Sequence, residues 1–408
     1  MKKILAFFFS LVLLFSTCSF SVSAKSNSVD TNTSQYISLN DAKLLAKHTI
    51  LTRISTDKSC PWKNGVSIGD VITMYDFDDI PNAYVFNLKQ GNKAIGHILV
   101  DANANTPGVA EFSYDESFYL KQVIDKNFKN DKNFDKLDKK YYFISPYNIL
   151  VKNTELNKDV FYDAISKQKI SDNRTTLKAD YKKIKQNLGD TNSINIINKM
   201  KSTNTEDSNL TSISSENSMQ PMTTVYQKAD VPYCDNATFY TTGQFWGGGN
   251  CAPTAGTSLI MYWYKQRGIT NLVSSSDKMS TDYDTARNVF GKLYDDMKTD
   301  YNIETYPNDF YNGLLQYAQS VGCPAVGSDY ISNGAPLQTI ESNISNGNPV
   351  KIGVNNNEKY GDHAIVVFGY ENNSDGNYLR LADGWTSSHQ TWCTYSYLNP
   401  VEMAYARW

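Results

Sequence analysis

Helices and antiparallel strands in separate stretches of chain, the α+β class, are what this sequence predicts, and three patterns carry that expectation. Ala83–Leu88 and Ala94–Val100 are apolar β-type runs flanking a turn at Gly91, a hairpin signature. Ala255, Leu259, Tyr262 and Trp263 form an apolar face at helical spacing just after Cys251. Near the C-terminus, His363–Tyr370 and Tyr378–Trp385 read as two strands joined by the turn-rich run Glu371–Asn377.

The elements fall into four segments. Residues 1–24 have the form of a secretory signal peptide: Lys2 and Lys3, an apolar run from Ile4 to Phe15, and a small-residue cleavage site at Val22-Ser23-Ala24. That run is too short to span a bilayer core of about 30 Å, and no later segment is long enough. The expectation is a secreted, extracellular protein with no integral membrane segment. Residues 25–200 form an N-terminal α+β unit. Ser38-x-x-Asp41 opens a helix through Leu44, Leu45 and His48, the hairpin follows, and the run Lys121–Lys140 interleaves lysines with Asp and Asn as a solvated face. His48 is expected on the helix surface. His97 sits in the hairpin with no acidic or thiol partner in view. Between residues 201 and 224, 14 of 24 residues are Ser, Thr or Asn, too polar to offset the entropy of ordering, so this is a linker. Residues 225–408 are the second domain.

Composition excludes several functions. Lys and Arg number 39 against 42 Asp and Glu, a formal charge of −3, with no basic stripe to track nucleic acid. The six cysteines are too sparse for a disulfide framework, and neither CxxC nor HExxH occurs, so neither a metal nor a cofactor is implied.

Chemistry concentrates in the second domain. The run Gly243-Gln-Phe-Trp-Gly-Gly-Gly-Asn-Cys-Ala-Pro places Cys251 at a helix N-terminus, since Pro253 suits the first turn, and the positive end of the dipole favours thiolate. A buried structural cysteine is the alternative. If Tyr370 pairs with Tyr378, His363 lies opposite Trp385 and Asp383 is its diagonal neighbour. A thiol at a helix start, an imidazole at a strand end and an acid beside it are the parts of nucleophilic acyl transfer. Gln244 is a candidate second oxyanion donor beside the Cys251 N–H, with a purely structural glutamine as the alternative. His389, in a polar turn-like stretch, is the lesser candidate for the base.

Cys251-Ala-Pro-Thr-Ala-Gly256 resembles the nucleophile motif of papain-like cysteine peptidases related to the double-glycine bacteriocin-processing family. Asn348-Pro-Val-Lys-Ile-Gly-Val354, Gly361-Asp-His-Ala-Ile-Val-Val-Phe-Gly-Tyr370 and Ala382-Asp-Gly-Trp385 match its remaining blocks in order. The resemblance covers residues 225–408. It implies a papain-like fold, a helix carrying Cys251 packed on an antiparallel sheet carrying His363 and Asp383, with Gln244 as oxyanion residue and a protein or peptide as substrate. Ala252 replaces the usual Gly, and the transporter segments of the bacteriocin processors are missing. More loosely, residues 25–200 resemble the pro-domain of streptopain-type peptidases, which implies an intramolecular inhibitory partner and a latent precursor. An unrelated accessory domain is the alternative. Two other functions stay open: a cell-wall amidase or transglutaminase using the same residues, and a non-catalytic adhesin. Substrate preference is not readable, because pocket walls come from loops such as 271–310.

Overall fold

Ser38 opens the first helix in a computed structural model of the protein, which describes residues 35–114, 140–145, 148–155, 158–163, 169–171, 174–175, 177–179, 192–202, 224–300, 305–355, 362–386 and 390–408. The Ser38 hydroxyl accepts the Asp41 N–H at 3.1 Å, and α1 runs Leu39–Thr56. Strands β1 (Ser67–Tyr75), β2 (Pro81–Gln90), β3 (Lys93–Asp101) and β4 (Gly108–Ser113) follow as an antiparallel meander. The expected hairpin is β2–β3, with Gln90 opposite Lys93 across the turn at Gly91. Strand β5 (Tyr141–Ser145) runs parallel to β1, and β6 (Asn148–Glu155), β7 (Lys158–Asp163) and β8 (Lys169–Ser171) continue antiparallel. Helix α2 (Asn192–Ser202) packs on α1. Residues 115–139, most of the lysine-rich run, and 203–223, most of the expected linker, lie outside the described residues.

The second half begins with β9 (Val225–Asp230) and the helices α3 (Cys251–Lys265), α4 (Asp282–Asp296) and α5 (Pro307–Ser320). Strand β10 (Gly327–Ile331), helix α6 (Leu337–Ser345) and strands β11 (Val350–Asn355), β12 (Asp362–Asn373) and β13 (Gly376–Ala382) come next. Strand β14 (Thr391–Thr394), the one-turn α7 (Tyr395–Leu398) and β15 (Glu402–Arg407) close the chain. This is the mixed α+β architecture expected. Twelve of the fifteen residues of α3 are buried, among them Leu259, Ile260, Met261, Tyr262 and Trp263 at 2% exposure or less. Each such large side chain contributes about 1.5–3 kcal/mol. That burial, rather than propensity, holds the Cys251 helix against α4 and β12.

One sheet runs β10-β15-β11-β12-β13-β14-β4-β3-β2-β1-β5-β6-β7-β8, with β9 also paired to β12. It crosses between the halves where Thr391, Trp392 and Cys393 of β14 oppose Ser113, Phe112 and Glu111 of β4. Residues 35–408 therefore form one compact unit, and the boundary at 201–224 separates segments that share a sheet. Across this junction Arg53 makes two bonds to Glu371, at 3.0 and 2.5 Å, with both side chains at least 98% buried. Lys228 lies 3.3 Å from Glu371 and 3.6 Å from Asp57. His48 is not on the helix surface, as its spacing suggested. It is buried against the β12–β13 turn, with Nε2 2.9 Å from Asp375 Oδ2. His97 also has an acidic partner, Glu111 on the next strand at 2.9 Å, which the sequence hides because 14 positions separate them.

Register at β12–β13 differs from the assumed pairing by one residue near the turn, where Tyr370 opposes Leu379. An irregularity between Val367 and Gly369 restores it, so Val367 faces Leu381 and Val366 faces Ala382. Past that bulge the pairing is the one that brings His363 to Trp385, whose ring centroids are 4.4 Å apart.

Candidate active site

Two elements converge on one pocket. Helix α3 starts at Cys251, with Asn250 flanking it and the Thr254 N–H bonding the Asn250 carbonyl at 3.0 Å. His363, second residue of β12, faces Val354 of β11. Cys251, Ala252, Gly353, Val354, His363 and Ala364 line the same small pocket, together with Thr305, Pro307, Lys351, Val401 and Glu402. All come from the second half of the chain. The described part of residues 25–200 docks on β14 and the β12–β13 turn and contributes nothing to these walls.

Asp383 meets His363 through its backbone. His363 Nε2 lies 2.6 Å from the Asp383 carbonyl oxygen. A carbonyl only accepts, so Nε2 carries the proton and Nδ1 is the basic side of the ring. Burial pulls the imidazole down to about 4, against the Asp383 bond and with help from the Lys351 charge, so the ring is neutral at pH 7. The Asp383 carboxylate turns back on its own chain. Its Oδ1 accepts the N–H groups of Trp385 and Thr386, both at 2.9 Å, and the Thr386 hydroxyl at 3.3 Å. Burial pushes this carboxyl up to about 6, against those N–H bonds. The turn it closes needs Gly384 in the left-handed region, at φ 74°.

That turn also anchors the loop before Cys251. The Thr242 N–H bonds the Gly384 carbonyl at 2.7 Å. Gln244 Oε1 accepts the Thr241 N–H at 2.7 Å and its hydroxyl at 3.3 Å, which makes Nε2 the outward donor of an exposed carboxamide. Tyr283 of α4 donates to the Gln244 carbonyl at 2.7 Å, and Phe245 stacks on Phe290 at 4.3 Å. Asn250, buried, ties the loop together by donating to the carbonyls of Thr242 and Trp246 at 3.1 and 3.3 Å. Gly247 sits at φ 88°, and a Cβ there would strike the Tyr294 ring, so both conformation and space favour glycine. His389 lies outside the described residues.

The sequence patterns did not single out Asn250, Lys351 or Glu402. Asn250 had a signal in its position just before a helix start. Lys351 and Glu402 had one too, each a charge inside an apolar strand. Cys60, Cys234 and Cys393 are buried and Cys323 partly so, and burial raises all four thiols, Cys60 to about 11 and Cys234 to about 12. Among the described residues, no three His, Cys, Asp or Glu side chains are grouped to hold a metal ion, and no helix is long and apolar enough to cross a membrane.

A cysteine on a helix N-terminus and a histidine on the facing sheet, in one pocket of a mixed α+β domain, have the layout of a cysteine peptidase. Residues 227–408 match the model of the Peptidase_C39 like family, which supports a C39-like cysteine peptidase domain over that segment. No curated protein matches the chain.

Proposed function

We propose that this chain is a secreted cysteine endopeptidase, made as a latent precursor, that cleaves peptide bonds with Cys251, His363 and Asp383. The observation that carries the reading is the shared pocket of Cys251 and His363, with the His363 tautomer set by the Asp383 carbonyl. His363 Nδ1 takes the Cys251 proton as sulfur attacks the scissile carbonyl. The Cys251 backbone N–H and Gln244 Nε2 bind the resulting oxyanion, each such donor contributing about 3 kcal/mol. The imidazolium then protonates the leaving amine, and water hydrolyses the thioester with His363 again as base. Asp383 acts as a positioning residue, because its own turn fixes the carbonyl that holds the ring.

Secretion is supported by the charged and apolar pattern of residues 1–24. Latency is supported by the polar run 201–224, whose composition suits processing, and by the docking of residues 35–114 on the sheet that carries the base. Incubating wild type and Cys251→Ala, each cut within 203–223, with a protein substrate, with and without a thiol-reactive epoxide, tests the activity. Cleavage by wild type alone, abolished by the epoxide, is expected, and cleavage by Cys251→Ala overturns the reading. Comparing the intact chain with one cut within 203–223 tests latency: activity should rise on cutting, and equal activity refutes the precursor.

A further inference from the structure

Strands β11 and β15 place a charged pair in the wall of the reactive pocket. Lys351 Nζ donates to Glu402 Oε1, both side chains are 4% exposed, and both residues line the pocket with Cys251 and His363. The lysine is further held over the Phe310 ring, 4.8 Å from its centroid. Glu402 opposes Gly353 across the strands and fills the space a side chain would need there, since a Cβ on Gly353 would overlap the Glu402 carboxylate. The other carboxylate oxygen, Oε2, is buried with no hydrogen-bond partner among the described residues. A buried acceptor left in that state is costly, and native structures keep one where something else supplies the donor.

The chemistry of the missing donor follows from charge and size. Lys351 already neutralises Glu402, so a second cation would bring an uncompensated charge into a desolvated wall. A neutral donor suits the site. The free space in the pocket is about 30 Å³, which suits the tip of a small side chain. We infer that Glu402, held by Lys351, selects substrates that place a small hydroxylated residue, Ser or Thr, in this pocket beside the scissile bond. This inference rests on the peptidase reading above and names the substrate class for the same site.

Threonine and valine have nearly the same shape and differ by the hydroxyl, so they isolate the effect. Peptides carrying Ala, Ser, Thr, Val or Lys, scanned through the positions on either side of the cleaved bond, are assayed for kcat/KM with the full chain after it has been cut within 203–223. At one position Thr should exceed Val, and Ser should exceed Ala, by about tenfold, the value of one hydrogen bond to a charged acceptor. Lys should be disfavoured there. In the paired substitution Lys351→Met with Glu402→Leu, which keeps the volume and removes both charges, Val should overtake Thr. The wild-type series is decisive without any variant: Thr and Val equal at every position overturns the inference. Protection of Cys251 from alkylation by the same peptides gives a readout that needs no turnover. Thr peptides protecting about tenfold better than Val peptides without being cleaved would keep the subsite and refute the peptidase reading. Equal protection refutes the subsite alone.

Discussion

Replacing Asp383 by Asn and by Ala separates two roles that sequence spacing merges. The His363 ring is held by the Asp383 carbonyl, whereas the carboxylate serves the Trp385 and Thr386 N–H groups. Asn keeps an oxygen for both N–H groups and leaves the carbonyl in place, so Asp383→Asn should retain turnover within about tenfold. Ala strands two donors and releases the turn. At about 1–2 kcal/mol each, Asp383→Ala should lose about 2–4 kcal/mol of stability and most activity. A pH signature follows as well. Burial raises the Asp383 carboxyl from 3.8 to about 6, so the native state holds this proton more tightly than the unfolded chain. The associated stability is present below about pH 4 and is lost as pH rises through 6. The interval corresponds to about 3 kcal/mol, which the wild type loses and Asp383→Asn does not. Urea melts of both proteins at pH 4 and pH 7.5 measure it. The Asn variant should gain on the wild type by up to that amount at the higher pH. A stability difference that ignores pH, or an Asn variant as inactive as Ala, would refute the division of labour between carbonyl and carboxylate.

Alkylation mapped by mass spectrometry should find Cys251 labelled first, with Cys323 slower and Cys60, Cys234 and Cys393 protected by burial that also raises their thiols; equal labelling of Cys323 contradicts the assignment. Chelators should leave proteolysis unchanged, and a loss of activity would redirect attention to a metal. Arg53→Met leaves Glu371 buried with the Asn373 amide and Lys228 as its remaining partners and should cost about 3–5 kcal/mol by chemical denaturation, where a change below about 1 kcal/mol would show that the junction is not anchored there. His363→Ala should abolish turnover while His389→Ala stays within about twofold of wild type; the reverse result makes His389 the base.

Local signals were legible where chain neighbours decide the structure. Ser38 caps α1, Gly91 turns the β2–β3 hairpin, and Cys251 begins α3, each as its flanking residues predict. The pairing of His363 with Trp385 was readable because strand alternation is strict, although the bulge between Val367 and Gly369 was not. What escaped was long-range. The joining of β14 to β4, the Arg53–Glu371 bond across 318 positions and the burial of His48 depend on edges and partners that no local pattern specifies. Spacing expected the Asp383 carboxylate on His363, whereas the backbone carbonyl of Asp383 is the group on the ring, a distinction only coordinates make. Lys351 and Glu402 pair across adjacent strands and lie 51 positions apart, so each read alone as an isolated charge.

The most direct test of the central claim is to trap the covalent intermediate. Full-length protein, cut within 203–223, is mixed with an activated peptide ester, quenched in acid and digested for mass spectrometry. An acyl group is expected on Cys251 alone, bound as a thioester that hydroxylamine removes, and absent from Cys251→Ala. Turnover of the substrate with no acyl group on Cys251, or turnover that survives in Cys251→Ala, would contradict it.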